Sequence, residues 1–138
     1  MKLIHEIDID TYLNLRDSVG WKKLSNNQAK KSINNALYIT VLYENDRPCA
    51  MGRVVGDGAV ICYVQDLVVR PECQGKGYGS TVLEDLKSYV ESLREPGTVM
   101  MFSLMCAKGR EQFYEKHGFI ARPTDKLGPG MIQYLGDE

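Results

Sequence analysis

No stretch of the 138 residues approaches the roughly 20 consecutive apolar positions that a membrane span needs, which argues against an integral membrane protein. The opening MKLIHEIDID carries acids within its first ten residues and no apolar run, so neither a signal peptide nor a transit peptide is expected. A surplus of charge is missing too. Lys and Arg number 17 against 18 Asp and Glu, well mixed along the chain, which leaves no basic stripe for nucleic acid and no polybasic patch for a membrane surface. Metal frameworks are equally poorly supplied: Cys49, Cys62, Cys73 and Cys106 stand far apart without a C-x-x-C pair, and only two histidines accompany them. Reduced thiols, no bound metal and a cytoplasmic setting are the expectations that follow.

What the chain does have is enough apolar material, 43% of its residues, to bury a core of ordinary size, and 15.6 kDa suits one domain over 1–138. Apolar residues at spacings of three and four predict short helices over 11–18 and 26–36, the second opened by the capping residues Ser25-Asn26. The period then changes. Leu37 to Tyr43, Cys49 to Val55 and Ala59 to Val69 are β-like runs separated by the turns Asn45-Asp46-Arg47-Pro48 and Gly56-Asp57-Gly58, which predicts an antiparallel three-stranded meander.

From Tyr78 the pattern is helical, with Val82, Leu83, Leu86, Tyr89, Val90 and Leu93 on one stripe, until Pro96-Gly97 stops it. Val99 to Met105 predicts a strand covered on both faces, 109–116 another helix, and 119–121 and 131–135 two last strands. The expected fold is α+β: a mixed central sheet, antiparallel at its N-terminal end, with flanking helices.

Between the third strand and the long helix lies Arg70-Pro71-Glu72-Cys73-Gln74-Gly75-Lys76-Gly77-Tyr78-Gly79. Three glycines remove the Cβ atoms that would hold a ligand off the main chain, and the helix start directs N–H groups and its positive dipole end at the same place. A flexible turn, or a cradle for phosphate or pyrophosphate, fits that composition. Spacing rejects two nucleotide sites. G-x-x-x-x-G-K-S/T is absent, and a G-x-G-x-x-G reading places Ser80 or Val82 where its last glycine belongs.

Gln74 to Gly79 fits the Gln/Arg-x-x-Gly-x-Gly/Ala signature of the GNAT family of N-acetyltransferases, and Phe113-Tyr114-Glu115-Lys116-His117-Gly118-Phe119 resembles its second hallmark. The order of elements matches as well, so the resemblance covers nearly the whole chain. It implies acetyl-CoA as co-substrate, with the pantetheine arm paired to the backbone of Leu67, Val68 and Val69 as though it were another strand. The pyrophosphate would lie on Gln74, Gly75, Lys76, Gly77, Tyr78, Gly79 and Ser80, with Lys76, Lys108 or Arg110 adding charge.

The resemblance further implies that Tyr114 protonates the departing thiolate and that a strand N–H of Leu67 or Val68 polarises the thioester. Asp66 lies at the depth of the acyl group. It reads either as a carboxylate relaying a proton through water or as a buried, hydrogen-bonded strand acid. His117 suits the end of its helix, and Ala107 stands where the family often has an asparagine that binds pantetheine. The acceptor would be a primary amine of a small molecule or peptide, in a pocket built by the two N-terminal helices and the loop from Pro123 to Met131. Pairing as a homodimer through the last strands is open, and the rival reading is a silent acyl-CoA-binding module.

Overall fold

A computed structural model describes residues 1–136. The chain gathers into two compact units, one over Met1–Leu104 and one from Met105 onward. The first holds a five-stranded sheet in the order β1-β2-β3-β4-β5, with β1 at Lys2–Ile4, β2 at Tyr38–Glu44, β3 at Arg47–Gly56, β4 at Ile61–Val69 and β5 at Met101–Ser103. Neighbours are antiparallel except β4 and β5, which run parallel. Three helices belong to this unit: α1 (Ile9–Ser18), α2 (Asn26–Asn34) and α3 (Tyr78–Leu93).

Local chemistry sets the ends of these elements. Asp8 caps α1 by accepting from Thr11 N–H at 2.7 Å, while Ser25 and Gln28 form a reciprocal capping box at the start of α2, with bonds of 3.0 and 2.9 Å. Asn45 and Asp46 both take positive φ in the two-residue β2–β3 turn, as a tight hairpin of this hand requires. Pro48 falls beside a bulge at Leu42/Tyr43, a position where its missing N–H does least harm.

Successive residues of a strand face opposite sides, and β3 shows what covers each. Met51 joins Tyr12, Leu15, Ala29, Ile39, Val41 and Val68 in a core under α1 and α2. Gly52, on the other face, leaves room for α3: a Cβ there would come within 2.8 Å of Leu86 and 3.1 Å of Val82. The α3 stripe of Val82, Leu83, Leu86 and Val90 is buried there, each side chain contributing about 1.5–3 kcal/mol of burial.

The predicted meander, long helix and N-terminal helices are present, and the α+β class holds. The ends of the chain differ from the predictions. β1 was not foreseen, because three residues are too few to show alternation. β5 is shorter than 99–105, and Val99 is exposed. Among the described residues no strand follows β5: residues 119–121 and 131–135 have no β partner, and Ile120, Met131, Ile132, Tyr134 and Leu135 expose their side chains. Strand propensity is realised only against a paired edge.

The second unit contains α4, Glu111–Glu115, one short helix within the predicted 109–116. Thr124 and Leu127 close a turn, with Thr124 N–H donating to Leu127 O at 2.8 Å.

Candidate active site

β4 is the element on which the site is built. Its pairing with β5 covers only Ile61–Tyr63, whereas β3 pairs along it as far as Val69. The β4 edge from Val64 to Val69 is therefore not paired to β5, and an extended, amide-bearing ligand can pair with it as a further strand. Leu67, Val68 and Val69 lie on this segment.

A bulge interrupts β4 just there. Arg53 pairs Gln65 and Met51 pairs Val68, so β4 carries one residue more than β3 across this interval, and Asp66 takes up the excess at φ 59°. A left-handed non-glycine residue inside a strand is unusual and costs about 1–3 kcal/mol. Hydrogen bonds offset that cost. Asp66 Oδ2 accepts from Tyr12 Oη at 2.5 Å and Arg53 Nε at 2.7 Å, and Oδ1 accepts from Arg16 Nη1 at 2.6 Å. Its side chain is fully buried, with those of Arg16 and Arg53 only 11% and 9% exposed. Burial first, then the bond to Asp66, raises the Tyr12 phenol above the ordinary tyrosine value.

Above this cluster opens a cleft of about 420 Å³. Tyr12 and Arg16 come to it from α1, Gln28, Lys31 and Ser32 from α2, and Arg53 and Gln65 from the sheet. Arg53 Nη1 donates to Ser32 O at 3.1 Å, and Arg16 Nη2 donates to Lys22 O at 3.1 Å. Trp21, which is exposed, lies with its ring centre 5.3 Å from the Arg16 guanidinium carbon.

β4 leads through Arg70 and a 3-10 turn at Pro71–Cys73 into the glycine segment. Gly75 and Gly77 adopt φ 83° and 81°, and a Cβ on either would enter open space. Gly77 is the N-cap of α3, and the first helical bond runs from Thr81 N–H to Gly77 O at 3.1 Å, so the α3 N–H groups ahead of it lie at the helix end. Gln74 Nε2 donates to Val69 O at 3.1 Å, tying the loop to the strand. Lys76 Nζ lies 3.3 Å from the Glu44 carboxylate, which also accepts from Tyr78 Oη. Left-handed glycines at a 16-residue helix N-terminus, following a strand edge that β5 does not pair beyond Tyr63, fit the pyrophosphate and pantetheine of an acyl-CoA.

In the second unit Tyr114 sits on α4 between Phe113 and Phe119, both in edge contact at 5.0 and 5.9 Å. Burial raises its phenol above the ordinary value, with the neighbouring Cys106 adding to the effect. His117 tilts against Phe113 at 5.2 Å. Lys108 and Arg110 are exposed, and Arg110 lies over the Phe113 ring.

Sequence reasoning reached Asp66 but not Tyr12, Arg16, Arg53 or Lys31. A signal existed for Arg53: it is the one charge inside Ala50-Met51-Gly52-Arg53-Val54-Val55, opposite a lone acid in the next apolar strand. His5 likewise gains a context that the sequence hides. Its Nε2 lies 2.9 Å from Asp85 Oδ2 and 2.8 Å from Tyr38 Oη.

The acetyltransferase (GNAT) domain family matches residues 35–121. The chain is 32% identical to a probable acetyltransferase, SA2161, from meticillin-resistant Staphylococcus aureus; the superposition has a TM-score of 0.83 and covers 96% of this chain and 98% of that one. It is 29% identical over 118 residues to the uncharacterized N-acetyltransferase ycf52 of Pyropia yezoensis, a match covering 83% of this chain and 66% of that relative's length. It is also 40% identical over 77 residues to the chloroplastic serotonin N-acetyltransferase 2 of Oryza sativa subsp. japonica, over 56% of this chain and 36% of the relative. The family match and the fold define the class, and the chain belongs to the GNAT acetyltransferase family.

Proposed function

We propose that the protein transfers an acetyl group from acetyl-CoA directly to a primary amine of a small molecule or peptide. The observation that carries this reading is the β4 edge, which continues from Val64 beyond its pairing with β5 and runs into the Gly75–Gly77 cradle. The names of the relatives, one of them a serotonin N-acetyltransferase, support an amine acceptor, and the cleft beside the bulge is of a size for a small one.

In this reading the backbone of Leu67, Val68 and Val69 aligns the pantetheine arm, and the α3 N-terminus holds the pyrophosphate. A main-chain N–H of Leu67 or Val68 polarises the thioester carbonyl. The neutral amine attacks the carbonyl carbon; the C–N bond forms, the C–S bond breaks, and the amine proton passes to water. Tyr114 supplies the proton that the departing thiolate takes up. Its raised pKa keeps it a phenol through the working pH range.

Asp66 has donors on both oxygens, so we assign it the positioning of Tyr12, Arg16 and Arg53 rather than proton transfer. With all four cysteines as free thiols, a reducing compartment such as the cytoplasm suits the protein.

The test is thiol release from acetyl-CoA across a library of primary amines. Amine-dependent release is expected. Binding of acetyl-CoA without release for any amine would make the protein a silent acyl-CoA-binding module.

A further inference from the structure

Two guanidinium groups in the first unit share one carboxylate. Arg16 and Arg53, with side chains 11% and 9% exposed, both ion-pair with Asp66 at 2.6 and 2.7 Å, and among the described residues no acid lines the cleft they face. Among the described residues, one of their two positive charges therefore lacks a counter-charge, in surroundings that exclude most water. A buried cation left in that state is costly. Lys31, on the α2 side of the same cleft, adds another positive charge. Arg16 Nε is a further unmet demand, since it is buried and has no hydrogen-bond partner among the described residues. Around these cations stand neutral hydrogen-bonding side chains, Gln28, Ser32 and Gln65.

We propose that this cleft selects an acceptor amine that also carries an anionic group, a carboxylate or a phosphate, docked against Arg16, Lys31 and Arg53. The inference rests on the acetyl-transfer reading for its identification of the cleft as the acceptor site. An anion there meets charge-assisted donors in a partly water-excluded setting, where such bonds are strongest. The same field repels the ammonium form of the acceptor and favours the neutral amine that attacks. It also disfavours polycations, so a polyamine is a poor acceptor while an amino acid, a peptide with a nearby carboxylate or an amino-sugar phosphate is a good one.

Matched pairs differing only in the anion provide the test: 5-hydroxytryptophan against serotonin, and glucosamine 6-phosphate against glucosamine, with spermidine as the polycation. Each is titrated calorimetrically onto the full chain and assayed separately for acetyl-CoA-dependent thiol release. The anionic member of at least one pair should bind and react about tenfold better than its partner, the ratio expected of one additional charge-assisted bond. Salt should weaken that preference.

Lys31→Gln, at an exposed helix position, should erode the preference several-fold, and Lys31→Arg should restore it. Neutral amines or spermidine reacting as well as the anionic ones would overturn the anion inference and leave acetyl transfer standing. Anionic members that bind better than their neutral partners yet give no thiol release would leave the anion preference of the cleft standing and overturn its assignment to the acceptor. Failure of both anionic members to bind better than their neutral partners overturns the inference whatever the turnover shows.

Discussion

At the scale of single residues, the bulge acid and the tyrosine of α4 do different kinds of work. Asp66 is held by three donors in the interior. Replacing it with Ala strands two largely buried guanidinium groups, and the cost should be about 3–5 kcal/mol, read as a fall in the chemical-denaturation midpoint at unchanged slope. Asp66→Asn keeps the shape but not the charge, and should lose less stability while distorting acceptor binding.

Tyr114→Phe removes only a hydroxyl. It should lower kcat roughly a hundredfold or more, the usual scale for a general acid, with acetyl-CoA affinity nearly intact by calorimetry. The sign of the Tyr114 shift adds a pH dependence. An acid that must be protonated works below its pKa, and that pKa is raised, so turnover should fall only at a pH above the ordinary tyrosine value and Tyr114→Phe should lack that alkaline limb.

At the scale of elements, the strand-to-loop-to-helix passage carries the proposed acyl-CoA site, and most of it is legible in the sequence. The apolar run ending at Val69, the proline and the glycine spacing after Gln74 announce a strand, a break and a helix start, because each rests on a local backbone preference. The bulge at Asp66 is not legible. It arises from the register between β3 and β4, a long-range pairing that no local pattern encodes. Arg16, Arg53 and Tyr12 were missed for the same reason: they come from two elements far apart in the chain, α1 and β3, and meet only in the fold. The last two predicted strands fail in the opposite direction, because local propensity without a paired edge does not make a strand.

Gly77 offers a test at this scale. With φ at 81° and open space before its Cβ, Gly77→Ala should cost only about 1 kcal/mol of stability yet weaken acetyl-CoA binding about tenfold by intruding on the cradle.

At the scale of the molecule, acid should loosen the fold through carboxylates that the native state holds ionised. Burial alone would raise Asp85, but hydrogen bonds from Thr40, His5 and Tyr38 outweigh it and lower its pKa. Asp57 is lowered by the backbone N–H groups of Ile61, Ala59 and Val60. A carboxylate with a depressed native pKa contributes stability that is present above its unfolded value and lost as pH falls through the native one. The melting temperature should therefore hold near neutrality and decline below the ordinary carboxylate range, and Asp85→Asn should flatten that decline.

In the proposed reaction an acyl-CoA held along β4 gives its acyl group to an amine. The most direct measurement is time-resolved release of free CoA thiol from acetyl-CoA, with and without each of a library of primary amines, with the acetylated product identified by mass. Amine-dependent release, one thiol per acetylated amine, is the predicted result. Acetyl-CoA that binds but yields no thiol with any amine would contradict it.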